Sequence, residues 1–375
     1  MSGDNVIVLA AGGTGGHLFP AQALAEVLAQ RGYAIHLMSD ERVSQYASRF
    51  PALEVYKISA SSLTPGRPMR LPGQALRLWR GYREAHDILS RIKPQAVVGF
   101  GGYPSVPPFL AAARLGIPAA LHEQNAVMGR ANRFLAGRAR LIASSFPDIA
   151  NLAERHRGKL AVTGNPVRRQ VLDVAETPYA APSADEVLRL VVFGGSQGAR
   201  MFSEIMPAAV RELSNAVRRK LEIVQQCRPE DLERVRAAYD ELGVKAELQP
   251  FFADMPQRIA HAHLVICRSG ASSVAELGVI GRPAVLVPLP SAIDNDQLRN
   301  AQAFAVNGAG WVMREGTFTA SDLAAFLTRI KFADGELTKA AGAARDLGRP
   351  DAAERLANEI EAMINEAQDK EKVAA

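Results

Sequence analysis

The sequence is most constrained by a glycine-rich turn near its start, AAGGTGGHLFP at residues 10–20. The apolar run before it, residues 6–9, is short and β-branched, which favours a buried parallel strand. Apolar residues then recur at helical spacing from Leu18 to Leu28. A strand, a glycine turn and a helix in this order predict an open α/β sheet, whose ligands bind where the strands end. Glycines at that point allow backbone N–H groups to approach an anionic ligand closely.

The second half of the chain repeats this pattern. An apolar run at residues 188–193 leads into GGSQGAR at residues 194–200, and GIPA at residues 116–119 has a counterpart in GRPA at residues 281–284. A polar stretch, residues 173–186, has the most linker-like composition between the halves. We therefore expect an α/β fold with two Rossmann-like domains, each with a parallel sheet, facing across a cleft.

Length supports the same division. At 375 residues the chain is longer than one hydrophobic core usually organises. We expect an N-terminal domain over residues 1–167 and a C-terminal domain over residues 168–348. The C-terminal segment, about residues 349–375, contains a last helix from about residue 351, after Gly-Arg-Pro at residues 348–350. That helix is mixed in polarity, and we expect it to pack back on the first domain.

Composition disfavours several classes of protein. The net charge of +5 permits an anionic partner, but aromatic residues make up only 6% and basic clusters are local, so we expect no nucleic-acid partner. Cys227 and Cys267 lack metal-ligand spacing and suit a reducing compartment. The first residues lack a signal-peptide pattern, and the longest apolar stretch, residues 96–121, is interrupted by prolines and Arg114. We therefore expect no membrane span.

The first glycine turn fits neither of two common nucleotide-binding motifs. Leu18 stands where G-x-G-x-x-G requires its third glycine, although Asp40 could mimic the ribose-binding acid of that motif. No G-K-[ST] follows, which excludes a Walker loop. His17 is the unusual member, because an imidazole titrates near neutral pH and suits proton transfer. Its alternative role is to cap or pack the start of the helix.

The second glycine turn contains a literal G-x-S-x-G around Ser196, between a predicted strand and a predicted helix. This is the context of a hydrolase nucleophile, so an α/β serine hydrolase is an alternative function. Such an enzyme needs a later histidine, and only His261 and His263 follow, where a helix enters a strand. Those two histidines and the D-x-D at residues 294–296 are weak metal signals.

A further strand–helix junction in the second half predicts a phosphate and ribose site. Residues 264–267 are apolar, and residues 268–273, which are all small except Arg268, open a helix that carries Glu276. Small residues at a helix N-terminus leave N–H donors for a phosphate, and the helix dipole adds attraction. Glu276, about one turn further on, is spaced to accept two hydrogen bonds from a ribose diol.

Seven motifs together resemble a known family. They occur in order along nearly the whole chain: GGTGGHLFP, GFGGYPS, LHEQN, VTGNPVR, GGSQGAR, CRSGASSVAELG and DNDQLRNA. The set resembles the MurG family of bacterial glycosyltransferases with the GT-B fold. The resemblance implies an inverting transferase that moves N-acetylglucosamine (GlcNAc) from UDP-GlcNAc to the C4 hydroxyl of the N-acetylmuramyl (MurNAc) sugar of lipid I, giving lipid II. Another UDP-sugar transferase or a binding-only module are alternatives.

The resemblance also implies residue roles. His17 is then the base that takes the proton from the acceptor hydroxyl, and no metal or other cofactor is required in the site. The residues implied to bind substrate, including the diphosphate, uracil, ribose and GlcNAc, are Thr14, Gly15, Gly16, Asn125, Arg168, Ser196, Phe252, Ala271, Ser272, Ser273, Glu276 and Gln297.

A basic and apolar segment predicts a membrane contact. The helical pattern at residues 74–92 interleaves Leu76, Trp79 and Tyr82 with arginines, and residues 71–83 resemble the membrane-facing patch of the family. We expect a peripheral protein on the cytoplasmic face of the inner membrane, where the undecaprenyl-pyrophosphoryl-MurNAc-pentapeptide acceptor is found. A role in cell-wall biogenesis, cell shape and cell division, with cell-wall synthesis proteins as partners, follows from the same resemblance.

Overall fold

The computed structural model describes residues 5–12, 15–42, 50–61, 71–195, 198–333 and 335–374. The chain divides into two compact units. Unit 1 consists of residues 1–168 and 351–375, and unit 2 consists of residues 169–350.

The described part of unit 1 contains a parallel sheet of seven strands in the order 3-2-1-4-5-6-7. Ile7 and Leu9 on the first strand belong to one core cluster, whereas Val8 between them belongs to another, so both faces of the sheet are covered. The elements of this part are β1 (Val6–Ala10), α1 (Gly15–Gln30), β2 (Ala34–Ser39), β3 (Glu54–Lys57), α2 (Leu71–Ile92), β4 (Ala96–Gly99), α3 (Val106–Arg114), β5 (Ala119–Glu123), α4 (Arg130–Leu135), β6 (Leu141–Ser144) and β7 (Leu160–Val162).

The described part of unit 2 contains a parallel sheet of six strands, whose order from the edge is third, second, first, fourth, fifth and sixth. Its elements are α5 (Arg169–Leu172), β8 (Leu188–Phe193), α6 (Arg200–Glu212), α7 (Asn215–Arg218), β9 (Leu221–Gln226), α8 (Leu232–Glu241), β10 (Lys245–Gln249), α9 (Met255–His261), β11 (Leu264–Cys267), α10 (Ala271–Ile280), β12 (Ala284–Leu286), α11 (Asp296–Val306), β13 (Gly310–Val312), α12 (Ala320–Phe332) and α13 (Glu336–Leu347). The predicted fold class, two Rossmann-like domains with parallel sheets, is confirmed.

The last helix, α14 (Ala352–Ala374), belongs to unit 1 and packs against α1. Its apolar residues Leu356, Ile360 and Ile364 join the core cluster that contains the buried face of α1. Arg31, just after α1, forms ion pairs with Glu354 and Glu361 of α14. The mixed polarity of this helix therefore reflects one apolar face against unit 1 and one charged face.

Strand order creates one topological switch point in each unit, where the chain leaves neighbouring strands in opposite directions. The switch points lie between β1 and β4 in unit 1 and between β8 and β11 in unit 2. Loops at the carboxyl ends of such strands form the usual ligand crevice of an open α/β sheet. β1 and β8 end at these switch points, and the glycine-rich sequences that follow them, residues 11–14 and 194–199, lie only partly within the described residues.

Residues 173–186 belong to unit 2 and are held to it along their length, which their linker-like composition does not predict. Arg345 donates to the carbonyls of Ala175 and Thr177, and Arg282 donates to those of Thr177 and Pro178. Lys331 donates 2.8 Å to the carbonyl of Ser183 and also to that of Glu186. Cations from α12, from α13 and from the loop after α10 therefore hold the backbone of this segment against unit 2.

Among the described residues, no helix combines the length and the apolar character that crossing a bilayer requires. The longest apolar stretch, residues 96–121, instead contains β4, α3 and the start of β5, all within the core of unit 1.

Candidate active site

The imidazole of His17, in the first turn of α1, lies among three glycines. A Cβ atom added to Gly12 would lie 3.4 Å from Nδ1 of the ring. One added to Gly101 would lie 3.5 Å from Cδ2, and one added to Gly102 would lie 3.6 Å from Cε1. Gly101 and Gly102 have φ angles of 83° and 73°, which residues with a Cβ rarely adopt. The turn after β4 can therefore approach the ring closely because it carries no side chains.

Burial, followed by the positive charge of Arg42, lowers the pKa of His17 to about 4. The imidazole is therefore neutral at neutral pH, which is the form that accepts a proton. Asp40, the residue that could have mimicked a ribose-binding acid, instead accepts hydrogen bonds from Arg42, with 2.8 Å between Nε and Oδ2. This contact removes the main support for a dinucleotide site at the first turn.

Arg168 lies beside the first turn of α1. Its guanidinium carbon is 4.4 Å from the centroid of the Phe19 ring, and a Cβ at Gly15 would lie 2.9 Å from Cε2 of the same ring. Gly16 is exposed, and a Cβ there would meet open space. Unit 1 therefore brings the predicted residues Gly15, Gly16, His17 and Arg168 together, whereas Thr14 lies outside the described residues.

The polar sequence at residues 122–125 starts inside β5, because that strand runs on through His122 and Glu123. His122 is fully buried, and its Nε2–H donates 3.0 Å to the Gly164 carbonyl while Nδ1 accepts from Gln124 Nε2 at 3.0 Å. Burial lowers the pKa of His122 to about 4. These partners use both ring nitrogens inside the fold, so His122 is a structural residue.

Asn125, the predicted substrate-binding member of this sequence, is half-buried at the end of β5. Its backbone N–H and its side-chain Nδ2 lie 3.0 Å and 3.3 Å from Oε1 of Glu123. Oε2 of Glu123 accepts from Gly129 N at 2.9 Å and from Asn132 Nδ2 at 2.8 Å. A single buried carboxylate therefore organises the turn that presents Asn125.

In unit 2, α10 begins at the carboxyl end of β11, where the sequence predicts a phosphate site. Gly270 is its N-cap residue and provides no side-chain cap. The first N–H groups of a helix have no intrahelical acceptor, which leaves those of Ala271, Ser272 and Ser273 oriented for an external one. The Ser272 hydroxyl is buried and has no hydrogen-bond partner among the residues that the structure describes.

Glu276 lies in the second turn of α10 and is 8% exposed. It is close enough to Cys267, at the end of β11, for its charge to add to the effect of burial in raising the pKa of that thiol. The carboxylate is therefore on the side of α10 that faces the end of β11, where the first turn of the helix also lies. Ser196 of the neighbouring turn lies outside the described residues.

Gln297 closes the loop between β12 and α11. Its side-chain Oε1 accepts from Leu289 N at 3.0 Å, and its backbone carbonyl accepts from Ser269 Oγ at 2.8 Å. Just before it, Asp294 and Asn295 have left-handed φ angles of 55° and 57°. The amide oxygen of Gln297 is thus used within the loop.

Phe252 is buried in the loop after β10, and the guanidinium carbon of Arg258 lies 4.3 Å from its ring centroid. Glu247 and Asp254 hold that guanidinium, with N–O distances of 2.6 Å and 2.9 Å. The ring is therefore held from the side of α9.

The two metal signals in the sequence find no support in the described ranges of the chain. No group of three or more His, Cys, Asp or Glu side chains there could hold a metal ion. His261 is exposed and its Nδ1 lies 2.7 Å from the Gln257 carbonyl, whereas His263 Nδ1 accepts from Arg189 N at 3.0 Å.

The hydrolase alternative is not supported. His263 precedes β11 and lies beside Arg189, near the amino end of β8, whereas the glycine turn with Ser196 follows the carboxyl end of β8. The six residues of β8 span about 16 Å, at a rise of about 3.3 Å per residue. Neither later histidine can therefore serve a nucleophile in that turn.

Sequence reasoning missed two buried asparagines. Asn165 is 5% exposed, and neither atom of its side-chain amide has a partner within the described ranges. Asn132 is 2% exposed, and its Oδ1 likewise has none there. A buried amide with an unused atom is uncommon in a folded protein. The sequence signal was available, since Asn165 belongs to the VTGNPVR motif that supplied Arg168.

Comparison with known proteins identifies the family. Residues 7–144 match the glycosyltransferase family 28 N-terminal domain and residues 189–371 match its C-terminal domain. The chain is 51% identical over 360 residues, 96% of each chain, to the UDP-N-acetylglucosamine–N-acetylmuramyl-(pentapeptide) pyrophosphoryl-undecaprenol N-acetylglucosamine transferase of Sinorhizobium fredii. It is 50% identical to the enzyme of the same name from Paramagnetospirillum magneticum, over 96% of this chain and 97% of the relative.

Solved structures agree. The crystal structure of Acinetobacter baumannii MurG has a TM-score of 0.78 and 29% identity, with coverage of 96% of this chain and 99% of that one. The calicheamicin glycosyltransferase CalG4 has a TM-score of 0.67 at 17% identity over 96% of this chain and 98% of its own, a likeness of fold alone. The family resemblance carried by the seven sequence motifs is confirmed. The chain belongs to glycosyltransferase family 28 and, within it, to the MurG family.

Proposed function

We propose that this chain transfers GlcNAc from UDP-GlcNAc to the C4 hydroxyl of MurNAc in undecaprenyl-pyrophosphoryl-MurNAc-pentapeptide, lipid I. The product is lipid II, the precursor of peptidoglycan. The names of relatives about 50% identical over 96% of the chain support this reaction. The observation that carries it is the neutral imidazole of His17 beside two glycine turns at the switch point of unit 1.

The reaction is a single in-line displacement. The C4 oxygen of the acceptor forms a bond to C1 of GlcNAc as the bond from C1 to the diphosphate breaks, and the configuration at C1 inverts. The hydroxyl proton passes to His17, and UDP leaves with the bonding electrons. A pKa of about 4 makes the free imidazole a weak base. The negative diphosphate of the donor would raise that pKa by stabilising the imidazolium.

The remaining roles divide between the two units. In unit 1, Thr14, Gly15, Gly16 and Asn125 would contact the diphosphate and the transferred sugar, and Arg168 would neutralise charge on the leaving group. In unit 2, the N–H groups at the start of α10 would bind phosphate and Glu276 the ribose diol. The proposed substrate contacts in unit 2 are Ser196, the Phe252 backbone, Ala271, Ser272, Ser273, Glu276 and Gln297.

We also propose that α2 binds the anionic cytoplasmic face of the inner membrane. Trp79 and Leu76 are 54% and 48% exposed, and the guanidinium of Arg83 lies 5.3 Å from the centroid of the Trp79 ring. Arg77 and Arg80 on the same helix are also exposed. Exposed aromatic and aliphatic side chains beside arginines suit an interface with anionic lipid, where the acceptor is anchored. Roles in cell shape and division, with cell-wall synthesis proteins as partners, belong to this proposal.

Transfer is tested by incubating the chain with UDP-GlcNAc and a lipid I analogue while following UDP release and disaccharide formation. A β-1,4-linked disaccharide formed in equal amount to UDP is expected. Release of UDP without disaccharide would contradict the proposal. The alternative of another UDP-sugar transferase predicts faster turnover with UDP-glucose or UDP-N-acetylgalactosamine than with UDP-GlcNAc.

A further inference from the structure

Glu123 is a buried carboxylate whose hydrogen-bond donors, within the described part of the chain, are amide N–H groups. It ends β5 and is 2% exposed. Burial raises the pKa of its carboxyl group, and hydrogen bonds from Gly129, Asn125 and Asn132 oppose that rise. Burying a carboxylate without a counter-charge is costly, so its arrangement calls for a specific role.

All four lone-pair positions of this carboxylate have a donor. Oε1 accepts from Asn125 N at 3.0 Å and Asn125 Nδ2 at 3.3 Å, and Oε2 accepts from Gly129 N at 2.9 Å and Asn132 Nδ2 at 2.8 Å. A carboxylate offers about four acceptor positions in total. None is left to take a proton from a substrate, so Glu123 is unsuited to act as the base.

The same contacts fix the orientation of two amides. Because Nδ2 of Asn125 faces Glu123, its Oδ1 points away from the carboxylate. Nδ2 of Asn132 also donates 3.2 Å to the His122 carbonyl, and its Oδ1 lies 3.6 Å from the position of a Cβ on Gly101. That same Cβ position is 3.5 Å from His17 Cδ2. Glu123 thus aligns Asn125 and also supports the turn that holds the imidazole.

We propose that Glu123 is a positioning residue for sugar transfer. It holds the Asn125 amide so that its oxygen accepts a hydroxyl of the sugar at the point of transfer. This inference rests on the proposed function, because it assumes that Asn125 contacts a sugar. In Glu123→Gln an NH₂ group replaces one of the two carboxylate oxygens. In either orientation of the amide, that NH₂ group faces two N–H donors and cannot accept a hydrogen bond from them. The turn from residue 124 to 129 would then shift.

A double-mutant cycle tests the proposal by kcat/KM for a lipid I analogue. Glu123→Gln and Asn125→Ala should each lower it about 100-fold, the scale expected when a reacting group is misplaced by about 1 Å. The double variant should be no less active than the less active single variant, because the shift caused by Glu123→Gln already includes the loss of the Asn125 contact. UDP affinity should change little, because the uridine is assigned to unit 2 and Asn125 to the sugar. Losses that multiply in the double variant would overturn the proposal.

A reciprocal exchange keeps the test independent of folding. Asn125→Asp places two carboxylates against each other. Combining it with Glu123→Gln gives an amide donor at position 123 opposite a carboxylate acceptor at position 125, and this pair has the same net charge as the original pair. The exchanged pair should be about 10-fold more active than Asn125→Asp alone. Equal or lower activity would overturn the proposal. If the unchanged chain transfers no GlcNAc, the proposed function fails, and the thermal unfolding of the same variants tests the coupling separately.

Discussion

The two switch points have the same strand order, yet different groups surround them. Between β1 and β4, glycines at positions 12, 101 and 102 enclose a neutral imidazole. Between β8 and β11, a helix N-terminus with small residues lies next to the buried carboxylate of Glu276. The first arrangement suits movement of a proton and the second suits recognition of an anion and a diol. The proposed roles thus differ in place as well as in chemistry, because His17 follows the first strand of its sheet, β1, and Glu276 follows the fourth strand of its sheet, β11.

Two histidines of unit 1 sharpen the contrast. Burial lowers the pKa of both His17 and His122 to about 4. His122 uses its two ring nitrogens on Gly164 and Gln124 within the fold, whereas His17 lies against glycines at the end of a strand. A lowered pKa therefore does not by itself distinguish the proposed base, His17, from a histidine such as His122, whose ring nitrogens are both used within the fold.

The largest effect is expected for His17→Ala. Loss of a general base lowers turnover by about 10²- to 10⁴-fold, while UDP affinity should change little because the nucleotide is assigned to unit 2. Steady-state kinetics and calorimetric titration with UDP measure the two quantities. A parallel fall in both would make His17 a residue that only supports the fold.

Glu276→Ala is expected to do the opposite and lower UDP affinity more than turnover. Removing a charged acceptor from a buried diol contact costs about 1.5–3 kcal/mol, so UDP affinity should fall about 10- to 100-fold while turnover at saturating donor falls less. The same titration measures it, with Glu276→Gln as the matched variant that keeps the side-chain size. Unchanged UDP affinity would count against the ribose contact.

Gly101→Val is expected to lower turnover about 10-fold, because a Cβ at Gly101 would already be in van der Waals contact with His17 Cδ2, at 3.5 Å, and the two γ-methyl groups would displace the ring. Gly32→Val is the matched control, because Gly32 also has a left-handed φ, of 90°, but a Cβ there meets nothing within 4 Å. Both variants bear the backbone cost of a Cβ at positive φ. Equal turnover in the two variants would show that Gly101 is needed only for its positive φ angle and not for the space that it leaves beside the His17 ring.

Membrane binding should change less. Arg80→Gln on α2 is expected to weaken sedimentation with anionic vesicles about 5-fold, corresponding to about 1 kcal/mol for one arginine at such a surface. Arg236→Gln, an exposed arginine on α8 of unit 2, is the control and should leave binding unchanged. An equal effect of the two substitutions would argue for unspecific attraction by net charge.

The smallest change is expected from mild acid. A base must be unprotonated, and with a pKa of about 4 His17 stays almost fully neutral down to pH 5.5. The kcat/KM for UDP-GlcNAc reports the enzyme before the donor diphosphate raises that pKa, so it should be nearly flat from pH 7 to pH 5.5 and fall only as pH approaches 4. An ordinary imidazole, with a pKa near 6.5, would lose about 10-fold over that range. Such a loss would show that the pKa of His17 is not lowered by burial before the donor binds.

The fold was predictable because local patterns repeat at both switch points. Each half places a short apolar strand before a glycine turn and an apolar helical pattern after it, as in residues 6–28 and again from residue 188. These signals involve neighbours in sequence, where periodicity and glycine content are informative. The family followed from the order of seven motifs.

Long-range contacts were not predictable. Residues 173–186 have the composition of a linker, because their partners Arg282, Lys331 and Arg345 lie more than a hundred residues away in the chain. His122 is held within a buried strand, where the Gly164 carbonyl, 42 residues later in the chain, accepts a hydrogen bond from its ring. Composition and spacing carry no information about such partners, so the LHEQN motif does not distinguish the structural residue His122 from the proposed substrate contact Asn125.

The most direct test of the account is a crystal structure of the chain with UDP-GlcNAc. The account predicts the uridine ribose at Glu276, with the phosphates at the start of α10 and no contact between His17 and the nucleoside. A ribose bound at the glycine turn of residues 10–17, with Glu276 remote from the ligand, would contradict the assignment of donor binding to unit 2 and of proton transfer to unit 1.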